Sequence, residues 1–561
     1  MSTGLVDHPL LAVLTLREAW RRVRRRLHTG PIHRWRFAGG TSGKLIALPP
    51  NLRHGDPMIA EAIYAGRFHF AGQLLEPGRT SIFQSTPPSA AYAVELHGFD
   101  WLTHHAAAGD ALAGQNARAL VDDWIRLKGK AIAGPAFEPA VAARRLITWI
   151  THADLLLAGA EPGFYRRFMK SLSAQARYLR AVVQEAPDGT PRLLARTALA
   201  FASLCLPTAS GRVKIAAQSL SDELDRQIFP DGGHISRDPS AIIRILADLI
   251  PLRQTYLGQG QPLPKGLYSA IDRMLPAIRF FRHGDGALAL FNGAGVSDRH
   301  LMTVLSRYDE TLGEPISHAR QSGYHRITAD GTIIIADTGC PAHASVSSNA
   351  HAGTLAFELS SEASRIVVNC GRPITEDADW RRLSRSTAAH STVTVADRSS
   401  SHFARSASLD RFLGTPLVPG PTAVTLAETG DRCLGFDATH NGYERGFGLL
   451  HRRRLVVSAD GNQVEGTDRF EAAGAHTSAA TALSATARFH LHPGVNVETA
   501  GAGVRLSVRD QRWLFETDGE LAIEDSIFFA DAGGARRTLQ LVVPFDARDL
   551  NGIAWRFLRE R

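Results

Sequence analysis

Three short stretches carry most of the information in this chain: Asn349-Ala-His351-Ala-Gly353, Val367-Val-Asn369-Cys-Gly371 and Arg385-Ser-Thr-Ala-Ala-His390-Ser-Thr-Val393. Each places imidazoles or amides among residues that favour β-strands. A strand needs only alternating apolar and polar positions to bury one face, so it does not require these groups. They therefore either build a site or satisfy one another inside a core.

Before residue 315 the apolar residues recur with the spacing of amphipathic helices. The sharpest helix start is Asp238-Pro239-Ser240, in which a capping residue precedes a proline of the first turn. The pattern predicts an array of helices, the clearest of which cover Leu112 to Leu127, Val141 to Leu157, Phe164 to Val183, Leu193 to Leu204 and Ala216 to Ile228.

After residue 315 the apolar period shortens to two and β-branched residues dominate, as in Gly331 to Ala336 and Arg454 to Val457. Turn residues separate these runs at short intervals. We predict a helical domain over 61–315 and an antiparallel β-domain over 316–561, preceded by a basic helix and lead-in segment over 1–60. No low-complexity linker separates the two domains, and a cleft at their junction is a favoured place for a site.

Composition is that of a globular protein, with 561 residues, 44% hydrophobic residues and a mean hydropathy of -0.11. The net charge of +8 suits an anionic partner, although charge alone does not select a glycan, a nucleic acid or a membrane surface. Part of the excess lies in the arginine-rich run from Arg21 to Arg26, whose pattern favours the solvated end of a helix over a binding tail.

Targeting signals are not visible in the sequence. The apolar patch from Leu10 to Leu16 precedes its arginines, which is the reverse of the order in a secretory signal peptide. No apolar run reaches the roughly 18 residues of a transmembrane helix. Four widely spaced cysteines favour neither a disulfide framework nor a Cys-x-x-Cys metal site.

The order of these motifs resembles that of the heparinase II/III-like polysaccharide lyases. That family usually has His-x-His-x-Asp, then a strand ending in Asp-x-Gly, then Arg-x-Thr-x-His-Asn-Thr. The helical half adds Ala143 to Trp149 and Pro230-Asp-Gly-Gly-His234, which are similar to two further family elements. The resemblance extends from about Gly66 to Pro493 and implies an α/α-toroid, which is all-α, followed by an antiparallel β-sandwich.

The resemblance implies β-elimination on an acidic, uronate-containing polysaccharide. Such a lyase neutralises the uronate carboxylate, removes the adjacent proton and returns a proton to the leaving oxygen. The expected partner is therefore an anionic polysaccharide and not a nucleic acid. Family members usually act in the bacterial periplasm or cell envelope, whereas the lack of a visible signal peptide also allows the cytoplasm.

Matching positions of this sequence to those of the family gives three catalytic candidates, apart from the tyrosines. Asn349 occupies the place of a family histidine, and although an amide cannot take a proton it can hydrogen-bond a carboxylate. His234 is the candidate neutraliser or base, with Arg237 as the neighbour that would share this role. The alternatives are that Asn349 caps a turn and that His234 is an ordinary loop histidine.

The acid/base tyrosine is the least defined residue of the set. Tyr324, in Ser322-Gly-Tyr-His-Arg326, matches a family strand near the start of the β-domain, and core packing is its alternative role. Tyr256, Tyr268 and Tyr308 are further candidates in the helical half, although no motif surrounds them.

Several members of the family hold a divalent metal in the β-domain. His351 and His390 match two of its ligands, so the resemblance implies a zinc site. Asn369 stands where the third ligand is usually an aspartate, and losing that anionic ligand weakens a zinc site. The alternative is a metal-free, hydrogen-bonded cluster of the same three residues.

Three functions remain open from the sequence: a lyase of an acidic polysaccharide, a family member that binds a glycan or envelope polymer after losing its base and metal, and a glycoside hydrolase on a helical toroid. The hydrolase would need two opposed carboxylates, and Asp231 with Asp285 has no supporting motif. The motifs of zinc proteases, serine hydrolases and P-loop proteins are absent from the sequence.

Overall fold

The architecture is that of a computed structural model. It describes residues 9–30, 37, 39–41, 43–129, 132–311, 313–375, 377–404, 406–417, 420–429, 434–474 and 482–560. Cys433, one of the four cysteines, and residues 1–8 of the predicted lead-in segment lie outside these ranges.

The first part of the chain is built from helices. Apart from a small hairpin of β1 (Phe68–Phe70) and β2 (Gln73–Leu75), its elements are α1 (Pro9–Thr29), α2 (Pro57–Tyr64), α3 (Ala90–Gly98), α4 (Leu102–Ala108), α5 (Ala111–Leu127), α6 (Pro139–Thr151), α7 (Ala153–Leu157), α8 (Pro162–Val182), α9 (Thr190–Cys205), α10 (Ser210–Gln227), α11 (Pro239–Gly258), α12 (Lys265–Phe280) and α13 (Arg299–Ser306).

Local sequence explains where these helices begin. The Asp238 carboxylate accepts a hydrogen bond from the Ser240 amide at 2.8 Å, and Pro239 occupies the first turn of α11. The predicted single helix from Val141 to Leu157 is instead two helices, because His152 leaves helical geometry between α6 and α7. No helix in the described ranges is long and apolar enough to cross a membrane.

The second part of the chain is dominated by strands. They are β3 (His318–Ala319), β4 (Tyr324–Ala329), β5 (Thr332–Asp337), β6 (Phe357–Ser361), β7 (Ser364–Val368), β8 (Val393–Val395), β9 (Val424–Thr429), β10 (Gly435–His440), β11 (Leu449–Val457), β12 (Gln463–Ala472), β13 (Ser484–Leu491), β14 (Asn496–Ala500), β15 (Gly503–Val508), β16 (Gln511–Thr517), β17 (Ala522–Phe528), β18 (Arg536–Asp546) and β19 (Ile553–Glu560), with short helices α14 (Ala378–Ser384), α15 (Ala407–Leu413) and α16 (Glu444–Phe447) between them.

These strands form two large antiparallel sheets. One has the order β14-β15-β16-β19-β12-β11-β10-β9, and the other has the order β17-β18-β13-β7-β6-β5-β4-β3 with β8 paired to β13. Apolar side chains from both sheets, such as Phe357, Phe489 and Trp555, meet in one core. The predicted fold class, an all-α part followed by an antiparallel β-sandwich, is confirmed.

The two parts share a close-packed junction. Ala319, Tyr324 and Ile335 from the first strands of the sandwich belong to the core of the helical part. Gly284 allows the closest approach, since a Cβ there would lie 1.6 Å from the Glu362 carbonyl oxygen. The junction is therefore sealed by backbone contact as well as by side chains.

Candidate functional site

Arg237 joins the helical part to the start of the sandwich. It has a φ of 60° and is 6% exposed. Its guanidinium donates to the Asp337 carboxylate at 2.6 Å and to four backbone carbonyls, those of Ser322, Gly323, Gly339 and Cys340. All these donors are used within the protein, so Arg237 is placed as an interdomain clamp and not as a group that faces a substrate.

Tyr324 completes the same clamp. Its hydroxyl donates to the Arg237 carbonyl at 2.5 Å and accepts from the Asn292 amide at 2.7 Å. The side chain is fully buried, and burial raises the pKa of the Tyr324 phenol above its usual range. The structure thus places Tyr324 in the core, the alternative that its sequence context also allowed.

His234 is held in one neutral tautomer. Gln227 accepts from Nε2 at 2.8 Å through its carbonyl oxygen, because the Gln227 amide nitrogen already donates to the Gly189 carbonyl. Nδ1 therefore carries the lone pair, and it accepts from the Ser236 amide at 3.1 Å. Burial lowers the pKa of His234 to about 4, so the ring has neither a charge nor a free lone pair to offer.

Asn349 lies on the loop before His351, at the junction between the two parts. It is half-buried beside Gly293, where a Cβ would come within 2.8 Å of the Asn349 Cβ. Gly293 has a φ of 100°, so a side chain there is disfavoured on both counts. Asn349 thus lies near the clamp. Asn292, which bonds Tyr324, also accepts a hydrogen bond from the backbone amide of His351 at 3.1 Å.

His351 and His390 contact each other directly. The Ser386 carbonyl can only accept, so His390 Nδ1 donates to it at 2.7 Å. Burial lowers the pKa of His390 to about 4, and the neutral ring accepts at Nε2 from His351 Nδ1 at 2.9 Å. Because Nδ1 donates, the neutral His351 ring carries its lone pair at Nε2.

Asn369 is committed to other residues. Its amide nitrogen donates to Glu358 at 3.1 Å, while its oxygen accepts from the Ser391 amide at 3.0 Å. Glu358 also pairs with His283 of the helical part at 2.9 Å. The Ser391 amide is thereby used outside the strand ladder, and β8 begins at Val393.

The metal implied by the sequence resemblance does not fit His351, Asn369 and His390 as they are arranged. The two imidazoles are hydrogen-bonded to each other, and the oxygen that Asn369 would offer to a metal already accepts a hydrogen bond from the Ser391 amide. The set also contains no anion. The arrangement matches the metal-free cluster that the sequence left open.

Another group of side chains in the β-domain can hold a metal ion. His318, His325 and Glu428 each offer a ligand atom, and these atoms lie within 4.8 Å of one another. His318 and His325 are opposite each other on β3 and β4, whereas Glu428 belongs to β9 of the other sheet. None of the three was singled out from the sequence.

Cavities lie both at the junction and in the β-domain. A cavity of about 350 Å³ at the junction includes Arg226, Arg237 and His343 in its lining. Two adjoining cavities of about 910 Å³ and 690 Å³ share Arg398, Ser399, His402 and Phe403. Arg445 and Phe447 line the first of these, and Arg382 lines the second.

Sequence reasoning missed the residues that organise the junction. Asn292 bonds Tyr324, Asp337 and His351, yet it lies in a glycine-rich loop with no motif. Asp337 had a visible signal, because a carboxylate at the end of the apolar run Thr332–Asp337 needs a buried partner. Arg398 and Arg445 gave no signal, since their importance lies in the cavities they border.

The fold and junction define a class of proteins in which a helical toroid precedes a β-sandwich. Residues 311–556 match the family described as heparinase II/III-like, C-terminal. The chain is 32% identical over 544 residues to FtsZ-localized protein C of Caulobacter vibrioides (strain NA1000 / CB15N), covering 95% of this chain and 93% of the relative. The chain belongs to the heparinase II/III-like family, a family of polysaccharide lyases that act on anionic polysaccharides.

Solved structures agree on the fold. The match to a crystal structure of heparinase III covers 100% of this chain and 93% of the heparinase III chain, with a TM-score of 0.72 and 15% identity. The heparan sulfate lyase HepC from Pedobacter heparinus covers 97% of this chain and 88% of its own, with a TM-score of 0.57 and 14% identity. At these identities the likeness establishes the toroid-plus-sandwich architecture.

Proposed function

We propose that this chain uses the lyase scaffold to bind an anionic glycan or envelope polymer and has little or no β-elimination activity. The observation that carries the proposal is that the expected acid/base groups are hydrogen-bonded within the protein. Tyr324 and His234 are buried, and their hydroxyl and ring nitrogens all contact the protein.

β-Elimination needs a group that neutralises the carboxylate, a base and an acid within hydrogen-bond reach of the sugar. Arg237 cannot neutralise a substrate while its donors serve Asp337 and backbone carbonyls. Asn349 can donate a hydrogen bond but cannot take a proton. His351 carries its lone pair at Nε2, because Nδ1 donates to His390, and it is the position from which residual lyase chemistry would come.

Binding of an anionic polymer is supported by the two adjoining cavities of the β-domain. Arg382, Arg398 and Arg445 are exposed at their borders, and guanidinium groups recognise carboxylate and sulfate groups through paired hydrogen bonds. Phe403 and Phe447 add apolar surface to the same lining. Cavities of this size are typical of ligand sites.

The curated relative gives independent support for a role in assembly. It is named as a protein localised with FtsZ, and it aligns with nearly the whole of this chain. We extend localisation with FtsZ to this chain as part of the proposal. Its lyase fold would then serve recruitment at the cell envelope instead of degradation of a polysaccharide.

The test is turnover measured beside binding. Purified protein is offered a panel of uronate polymers, with ultraviolet absorbance as the readout for new unsaturated ends and affinity electrophoresis as the readout for binding. We expect retention of at least one acidic polymer without a rise in absorbance. A rise in absorbance that is lost in His351→Gln would establish the lyase function and overturn the proposal.

The same proposal treats His351, Asn369 and His390 as a metal-free cluster. His390→Gln keeps a neutral hydrogen-bonding group, so we expect it to leave the metal content of the purified protein unchanged. Elemental analysis of the two proteins checks this. Loss of one equivalent of zinc in His390→Gln would show that the family's metal position is used.

A further inference from the structure

Helix α1 has one side packed against the protein and the other side exposed. Leu11 and Leu14 pack with Ala404 and Leu413. Arg21 donates to the Glu185 carbonyl at 2.9 Å, so both the sandwich and the toroid hold this helix in a fixed orientation.

The opposite side of α1 carries an unbroken apolar stripe. Its members are spaced alternately three and four residues apart, which places them along one side of a helix. They are between 45% and 72% exposed and comprise Val13, Leu16, Trp20, Val23 and Leu27. A row of five large apolar side chains exposed on one helix exceeds the scattered exposure that is normal for a globular surface.

Arginines border this stripe. The helix contains six arginines and a single acidic residue, Glu18, which lies on the packed side and is paired with Arg21. Arg17 and Arg26 are exposed beside the apolar row, and so is Arg24, whose guanidinium also pairs with Glu185 at 3.3 Å. An apolar face that contains a tryptophan and has arginine borders is typical of helices that lie in the interface of an anionic membrane.

We propose that α1 binds the surface of an anionic phospholipid bilayer, with its axis parallel to the membrane. Trp20 and Leu16 enter the boundary between headgroups and acyl chains, and the bordering arginines contact lipid phosphates. The helix is 21 residues long, about 31 Å, and lies flat because its other side is held by the protein. This inference is independent of glycan binding.

Vesicle co-sedimentation of the full chain tests the proposal. We expect binding to vesicles of phosphatidylglycerol and phosphatidylcholine, weakening as salt rises, and little binding to phosphatidylcholine alone. Leu16→Glu with Trp20→Glu should lower the partition coefficient by more than about tenfold. Ile215→Glu is the matched control, because Ile215 is 67% exposed on α10 and should leave binding unchanged.

Circular dichroism and thermal unfolding show whether the α1 variant stays folded. If wild-type protein stays in the supernatant with anionic vesicles at low salt, the proposal is wrong. It is also wrong if the Leu16→Glu, Trp20→Glu protein sediments like the wild type. Analytical ultracentrifugation covers the remaining case, in which the stripe joins two copies: a dimer that this variant dissociates, without vesicle binding, would overturn the membrane assignment.

A second site rests on a separate observation, the orphaned imidazole of His325. This side chain is fully buried, and neither of its ring nitrogens has a hydrogen-bond partner in the part of the chain that the structure describes. Burying polar nitrogens without partners is costly. His318 Nδ1 and a Glu428 oxygen lie 3.3 Å apart beside it, so the three side chains converge on one point.

We infer that His318, His325 and Glu428 bind one divalent ion of the zinc class. Two imidazoles and one carboxylate are a common zinc set, which leaves a fourth position for water. Because β3 and β4 belong to one sheet and β9 to the other, the ion would link the two sheets of the sandwich at this edge.

Zinc titration of metal-stripped protein tests this site. We expect one equivalent of zinc by elemental analysis, a higher melting temperature with zinc, and the loss of both effects in His325→Gln and in Glu428→Gln. His69→Gln is the control, since His69 is exposed in the helical part. No bound equivalent, or an equivalent that survives His325→Gln, would contradict the site.

Discussion

The junction clamp and the basic cavities of the β-domain both concentrate arginine, yet they differ in how its charge is used. At the junction, Arg237 is buried, and its guanidinium bonds Asp337 and backbone carbonyls. At the cavities, Arg398 and Arg445 are exposed beside open space. The sequence-based assignment of catalysis fell on the junction, where the guanidinium is used within the protein, whereas the sequence assigned no role to Arg398 or Arg445.

This contrast shows that a polar group in a lyase fold can act on a substrate only through the donors and lone pairs that are not already used within the protein. Burial lowers the pKa of His234 to about 4 and fixes its tautomer, so the ring works as a structural bridge. Exposed guanidinium groups can still reorganise around an anion. The variants below test whether the two regions behave differently.

Among single substitutions, the largest effect is expected at the clamp. Asp337→Ala leaves the buried Arg237 guanidinium without its carboxylate, so the free energy of unfolding should fall by about 3–5 kcal/mol. Arg398→Ala should change it by less than about 0.5 kcal/mol, because the side chain is exposed. Denaturant unfolding checks both. Equal stability losses in the two variants would remove the distinction between sealed and open arginines.

The next effect is acid sensitivity from the buried histidines. His234 and His390 have pKa values near 4 in the folded state against 6.5 for an ordinary histidine, so the unfolded chain binds more protons between these values. Their stabilising contribution is complete above pH 6.5 and is lost as the pH falls toward 4, by up to about 1.4 kcal/mol per pH unit for each ring.

Melting temperatures measured from pH 7 to pH 4 check this dependence. His390→Gln removes one titrating ring while keeping a neutral hydrogen-bonding side chain, so its melting temperature should fall less steeply with acid. A variant curve parallel to that of the wild type would show that His390 titrates normally in the folded protein.

A smaller effect is expected in ligand binding. Arg398→Ala with Arg445→Ala should weaken binding of an anionic glycan by about tenfold and leave stability unchanged, since two ligand contacts are lost. Affinity electrophoresis with the retained polymer measures the change. Arg79→Ala, at an exposed position of the helical part, is the control. Unchanged affinity in the cavity variant would place the glycan elsewhere.

The smallest effect on glycan binding is expected for Tyr324→Phe. Removing the hydroxyl leaves the Arg237 carbonyl and the Asn292 amide without one partner, at a stability cost of about 1–2 kcal/mol. Glycan affinity should stay at the wild-type value. If the wild type turns over a polymer and Tyr324→Phe does not, Tyr324 is the acid/base group and the clamp assignment fails.

Much of the fold follows from sequence because periodicity and capping are local. The cap at Asp238 and the apolar runs of α5, α8 and α9 predicted these helices to within a few residues. Site roles could not be derived in the same way. Whether a histidine is free depends on partners such as Gln227 or Ser386, and whether an arginine faces a cavity depends on which loops meet around it.

Strand β19 lies between β12 and β16 in the middle of its sheet, although it is the last strand along the chain. As the chain emerges from the ribosome, the sheet therefore exists as two separate pieces, β9–β12 and β14–β16, until residues 553–560 are made. Each piece has an open edge that can pair with another chain. A tag or truncation that delays β19 is therefore expected to prolong the interval in which these edges can aggregate.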